Sequence, residues 1–322
     1  PLTSCNPPKE GEDETCVALD FYRQDDDSVV YVPRSGATRW LTGQSECKWD
    51  GILCQGDTEV SGFDLSGRNL TGTLPTELAA LSLLQCISVP YNLLTGTIPH
   101  EYANFRNLIR LEVHGNLLTG SIPNEFYELG IMPLQSFNIG DNLLSGRLDT
   151  RIGVLTDLKG LYIFENNLSG TFPAEVGNIA FLNFIRVNGN EFAGPLPTEL
   201  GNLRRLYEFW FQENDFTGTI PSELGQLARL QDLRLSQNRF SGIIPQELFN
   251  LTWLQYFELD ENRLTGTLST LLGHLTNLQT LLVSTNLLTG SIPSEIQNMV
   301  NLESVWLQKN LFTGQVPTEI CS

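Results

Sequence analysis

The sequence predicts a curved, right-handed α/β solenoid. It should carry one parallel β-sheet on its concave face, short helical or 3-10 segments on its convex face, and a capped N-terminal end. Three observations carry this expectation. An asparagine recurs every 24 residues, at Asn92, Asn116, Asn142, Asn166, Asn190, Asn214, Asn238, Asn262, Asn286 and Asn310, with a single 26-residue step from Asn116 to Asn142. Each stands three residues after an apolar residue and two before Leu or Phe, and a Thr/Ser/Ala-Gly pair follows, as in NLLTGTIP, NDFTGTIP, NRFSGIIP, NRLTGTLS, NLLTGSIP and NLFTGQVP. Arg68, in GRNLTGTLP, holds the same place in an eleventh and earliest copy. Self-similarity at this period marks a quasi-one-dimensional array, which offers a long face rather than a deep pocket.

One unit shows how each element arises. In LQDLRLSQNRFSGIIP, Leu230, Leu233 and Leu235 point inward, and the alternation around Leu233-Arg234-Leu235 reads as a short strand. Asn238 turns inward after it. An amide both donates and accepts, so stacked asparagines are expected to form a ladder between coils. Phe240 and Ile244 fill the core behind, Ser241-Gly242 makes the bend, and Pro245 stops the coil before a helical turn in QELFNLTWL. Stacking hides every strand edge except the two ends, which need caps. The expected organisation is a cap over residues 1–59 and eleven repeats over 60–322, with the C-terminal cap missing.

Composition narrows the function. The net charge is −18, which argues against nucleic-acid binding and disfavours anionic lipid. It leaves either a solvated surface or the steering of a cationic partner. No stretch of about 20 apolar residues is present, so no membrane span is expected within the chain. The chain begins at Pro1 with no signal peptide, as a processed product would. Of six cysteines, Cys5, Cys16, Cys47 and Cys54 precede the first repeat, and Cys86 and Cys321 follow. With sequons at Asn69, Asn167 and Asn250, this placement points to an oxidising, extracellular compartment and a glycoprotein.

The LTGxIP segment after each ladder asparagine resembles the plant-type extracellular leucine-rich repeat, over about residues 60–320. Cys47-Lys48-Trp49-Asp50-Gly51-Ile52-Leu53-Cys54 resembles the CxWxGVxC cap of receptor kinases, receptor-like proteins and polygalacturonase-inhibiting proteins. ALDFYRQ and TRWLTGQSECKWDGILC are similar to the caps of microalgal receptor-like relatives. The resemblance implies a Cys47–Cys54 disulfide. Cys5–Cys16 is the best remaining pair, although Cys86 could instead reach Cys5. It also implies a C-terminal cap holding a partner for Cys321, so that the chain would be a piece of a longer protein or of an assembly. Three departures stand out. Arg68 replaces the ladder asparagine, proline is missing after Leu148 and Leu268, and two extra residues lie near Gly130-Ile131.

No catalytic or cofactor chemistry is legible. His100, His114 and His274 are scattered, and there is no HExxH, paired CxxC, nucleophile elbow or phosphate loop. The runs Glu12-Asp13-Glu14 and Asp25-Asp26-Asp27 lack calcium-loop spacing. No enzyme activity, cofactor or metal is expected.

Alternation decides what faces a ligand. Residues six, four and two places before each ladder position should point to concave solvent. Most are small and polar, but the central coils present Tyr162, Phe164, Phe184, Arg186, Trp210, Arg234 and Tyr256, with Glu258 beside them. These include the residue types enriched at binding hot spots. Cross-strand packing of aromatics on a half-buried sheet is the competing account. Trp306 with Leu282 forms a second, weaker patch, and His114 reads as a polar surface residue. The function expected is an extracellular ectodomain binding a peptide, protein or glycan, with a membrane span possible downstream. Alternatives are a secreted inhibitor of a cell-wall-degrading hydrolase, or an adhesive matrix protein that self-associates. Ice binding is suggested only by the Thr-Gly-Thr strings, whose column is broken by Arg147, Pro195, Ile243 and Gln315.

Overall fold

The structure is a computed structural model and describes residues 50–55, 59–128 and 132–317. Most of the expected cap lies outside the described residues, as do Cys5, Cys16, Cys47 and Cys321. Cys54 takes part in a disulfide.

The concave face is one twelve-stranded sheet. Strand Ile52–Gln55 pairs antiparallel with Glu59–Asp64, and every strand from there to Ser304–Trp306 is parallel to its neighbours. Its register carries each column straight across the coils, so that Tyr162 pairs with Arg186, Arg186 with Trp210, Trp210 with Arg234, and Arg234 with Glu258. Single-turn 3-10 helices such as Gln246–Asn250 close the convex side. Coils approach closely there: a Cβ on Gly177 would stand 2.4 Å from the carbonyl oxygen of Glu199 in the next coil.

The asparagines do form the internal ladder, but through the backbone rather than amide to amide. Asn214 donates from Nδ2 to the carbonyls of Val187 (3.1 Å), Phe211 (3.3 Å) and Gln212 (3.2 Å). Its Oδ1 accepts from the Phe192 N–H at 3.0 Å. One side chain thus ties two coils together, giving Phe192 N–H an acceptor and three carbonyls a donor. The pattern continues across the 26-residue step, where Leu118 N–H donates to Asn142 Oδ1 at 3.0 Å. Behind it runs the apolar core, with Phe192, Phe216 and Phe240 stacked at centroid distances of 6.4 and 6.1 Å.

The departures from the repeat are absorbed locally. Most convex turns start at a proline with no side-chain cap, as at Pro173 (φ −69°). Where proline is missing, Asp149 (φ −69°) and Ser269 (φ −72°) hold the same backbone and cap the turn instead, accepting from Arg151 N–H and Leu271 N–H. Arg68 keeps its place through a 2.6 Å ion pair with Asp50, and its N–H donates to Asn92 Oδ1.

One element escaped the sequence reading. The segment after each asparagine, expected to be only a bend, is a short strand such as Arg239–Gly242. Such strands build a second, seven-stranded sheet from Thr119–Gly120 to Arg263–Leu264. Gly242 takes the left-handed backbone at its end (φ 77°). Asn69, Asn167 and Asn250 are all exposed.

Candidate functional site

The concave column at the middle coils is a stack of flat groups. Parallel strands place equivalent side chains about 4.8 Å apart, the spacing at which planar groups layer. Arg186 lies over the Trp210 ring at 4.0 Å from one coil, and Arg234 lies over it at 4.4 Å from the other. Arg186 also lies 5.6 Å from the Tyr162 ring, and Arg234 lies 5.4 Å from Tyr256. Tyr162 stacks on Phe184 with centroids 6.5 Å apart and 22° between planes. Cation–π contacts of this kind contribute roughly 0.5–2 kcal/mol each.

Glycine makes room for the rings to lie across the sheet. A Cβ on Gly160 would fall 2.4 Å from the Tyr162 ring, and one on Gly140 would fall 2.4 Å from Phe164. Six of the candidates, Tyr162, Phe184, Arg186, Trp210, Arg234 and Tyr256, are therefore brought together, each half-buried. Phe164 lies beside this column over Gly140, and Glu258 approaches Arg234 at 3.6 Å. Trp306 stands apart near the C-terminal end, 51% exposed, paired in register with Leu282.

Neither guanidinium in the stack is unmatched. Arg186 contacts Glu208 at 2.8 Å, and Arg234 grips Asp232 with two bonds of 2.8 and 3.0 Å. Sequence reasoning did not use Glu208 and Asp232, although both occupy the adjacent concave column. The competing account of cross-strand packing is thus realised in part: the cluster is held by its own contacts. That also makes it rigid before anything binds. Three polar atoms remain buried without a hydrogen-bond partner at this spot: Trp210 Nε1, Gln212 Oε1 and Asn188 Oδ1.

Several positions expected to face solvent are instead covered. Asp232, Ser236, Asp260 and Ser284 are all buried. The reason is geometric, because long side chains lie over short neighbours on an inner face. His114, expected at the surface, is 4% exposed and meets the Tyr91 ring edge at 5.0 Å. Burial pulls its pKa down to about 4, so it is neutral at physiological pH. The same desolvation pushes the Tyr162 hydroxyl up to about 12. Among the described residues, no group of three or more His, Cys, Asp or Glu could hold a metal ion.

A regular stack of coils, with an amide ladder inside and a varied concave column outside, defines a solenoid recognition scaffold. The family model described as leucine-rich repeat matches residues 107–129, 229–251 and 277–299. A TDR receptor is similar at TM-score 0.77 and 34% identity, over 80% of this chain and 44% of its own. The Arabidopsis receptor kinase HAESA, solved with the peptide hormone IDA and the co-receptor SERK1, is similar at TM-score 0.74 and 29% identity, over 87% and 55%. A plant ice-binding protein is similar at TM-score 0.72 and 26% identity, over 85% and 88%. The chain belongs to the plant-type leucine-rich-repeat proteins. It spans about half the length of those two receptor structures.

Proposed function

We propose that the chain is an extracellular recognition module, the ligand-binding part of a receptor-like protein rather than an enzyme, and that it holds an extended peptide or protein segment on its concave face. The observation that carries this is the register stack from Tyr162 to Tyr256. It gathers hot-spot residue types at the middle of the sheet and fixes them before binding, so little ordering entropy is lost on association. The similarity to a receptor kinase solved with a peptide hormone supports the reading. Exposed sequons and a disulfide at Cys54 support the extracellular setting.

The test is selection from a displayed random-peptide library. Selected peptides should bind the wild type and lose about tenfold or more with Trp210→Ala, a hot-spot magnitude. Binders indifferent to Trp210→Ala, or no binders, would overturn the reading.

A second reading has one observation in its favour, the similarity to a plant ice-binding protein over most of both chains. Exposed hydroxyls such as Thr95, Thr97, Thr265 and Thr267 lie in or just after the short segments that follow the ladder asparagines, but Arg147, Pro195 and Ile243 interrupt the same exposed column. Thermal hysteresis that disappears on Thr267→Tyr would favour it.

A further inference from the structure

We propose that the segment held on the concave column is cationic, its Lys or Arg side chains seated on Glu165, Glu213 and Glu258 while its apolar part lies across Trp210 and Tyr256. This deepens the recognition reading and rests on it.

The charge inventory of the face leads there. Its three arginines each contact a carboxylate of the protein: Arg110 with Glu112 at 2.7 Å, Arg186 with Glu208 at 2.8 Å, and Arg234 with Asp232 at 2.8 Å. An acidic ligand would have to compete with the resident carboxylate of a half-buried pair, exchanging one ion pair for another. Three further carboxylates lie on the same columns. Asp64 is held by Ser66 and Ser88, far from the stack. Glu258 has only a 3.6 Å approach to an arginine already engaged, and Asp260 accepts from the neutral hydroxyl of Ser236.

The rim adds to the surplus. Asp141, Glu165, Glu213 and Glu261 occupy the exposed left-handed position just before their ladder asparagines, with Gly189 and Gln237 holding it in the coils between. Among the described residues at that position, Lys309 is the one base, and Lys159 stands on the opposite rim. The carboxylates feel one another. Burial, then Glu213 and Asp141, push Glu165 up. Burial pushes Glu258 up, Arg234 opposes it, and Asp232 and Asp260 reinforce it. A cation placed among them relieves that field, and the net charge of −18 steers such a partner in.

The experiment uses three synthetic peptide pools with equal aromatic content and net charges of about +4, 0 and −4, titrated by fluorescence anisotropy at low and at raised salt. The cationic pool should bind about tenfold more tightly than the neutral pool at low salt, with the advantage shrinking as salt screens exposed charges. Glu165→Gln with Glu213→Gln should weaken it about 3–10-fold, as two partly exposed pairs would. Gln237 already holds the same left-handed position, so glutamine is tolerated there. Glu199→Gln on the convex side should change nothing. Trp210-dependent binding that is as tight for the neutral or acidic pool would overturn this proposal and leave the recognition reading standing. Charge-dependent binding indifferent to Trp210→Ala and to the glutamate pair would mark diffuse attraction and overturn it too. An absence of Trp210-dependent binding in every pool would remove the recognition reading beneath it.

Discussion

Each middle coil contributes one strand to the concave sheet and one to the second sheet, which two-stranded pieces continue at either end, yet the two surfaces follow different rules. The second sheet repeats itself. Position after position carries Thr or Ser, and Thr95, Thr119 and Thr289 each donate to a glycine carbonyl of the preceding coil at 3.1 Å. The concave column changes at every coil, from Tyr162 to Arg186, Trp210, Arg234 and Glu258. Where the fold needs one hydrogen bond per coil, the residue is fixed by period. Where stacking asks only for a side chain that clears its neighbours, the residue is left open to recognition. The monotony of one face and the variety of the other separate structure from function within a single repeat.

Asn214 joins the two sheets, and removing it should have the largest effect. Its Nδ2 reaches the carbonyl after concave strand Phe184–Arg186, and its Oδ1 receives the N–H of Phe192 in second-sheet strand Glu191–Pro195. Asn214→Ala should cost about 2–4 kcal/mol in chemical unfolding, because the buried Phe192 N–H loses its acceptor and three carbonyls each lose one of their two donors. A loss below about 1 kcal/mol would show that water replaces the ladder.

His114 sharpens the comparison from the concave side. Its folded pKa is lowered to about 4 from an ordinary 6.5. The unfolded chain therefore binds the extra proton first as pH falls. The stability this group contributes is full above about pH 6.5 and is lost as pH drops through 4, on the order of 2–3 kcal/mol. Thermal unfolding between pH 7 and 4 should fall less steeply in His114→Gln than in the wild type. Equal slopes would place the histidine in contact with solvent.

Trp210→Ala and Thr217→Ala test the two faces directly. The first should weaken peptide binding by about 2 kcal/mol. The second, on the exposed second sheet, should leave binding unchanged and stability within about 0.5 kcal/mol. A smaller effect than that of Trp210→Ala is expected at the turns. Ser269→Ala should cost about 0.5–1 kcal/mol by loss of its cap, whereas Ser269→Pro should retain stability, since φ is already −72°.

Much of this was legible in the sequence because period is a backbone property. The ladder asparagines, the concave columns and the proline-started turns all follow from spacing. What spacing could not supply depends on residues one coil away. Nothing around His114 in the chain says that it will be covered, and nothing beside Arg186 says that Glu208, 22 residues on, will hold it. The second sheet was missed for a related reason. Its strands end at or next to a glycine, as at Asp215–Gly218 and Arg239–Gly242, a pattern that reads as a bend, and only the recurring hydroxyl marks them.

The central claim is that recognition occurs on the concave stack. Hydroxyl-radical footprinting of the chain, with and without a bound selected peptide, tests it most directly. Tyr162, Trp210 and Tyr256 should be protected, while Trp253, 60% exposed just beyond the convex turn Gln246–Asn250, should react as before. Protection at Trp253 with the concave rings unchanged would contradict the account.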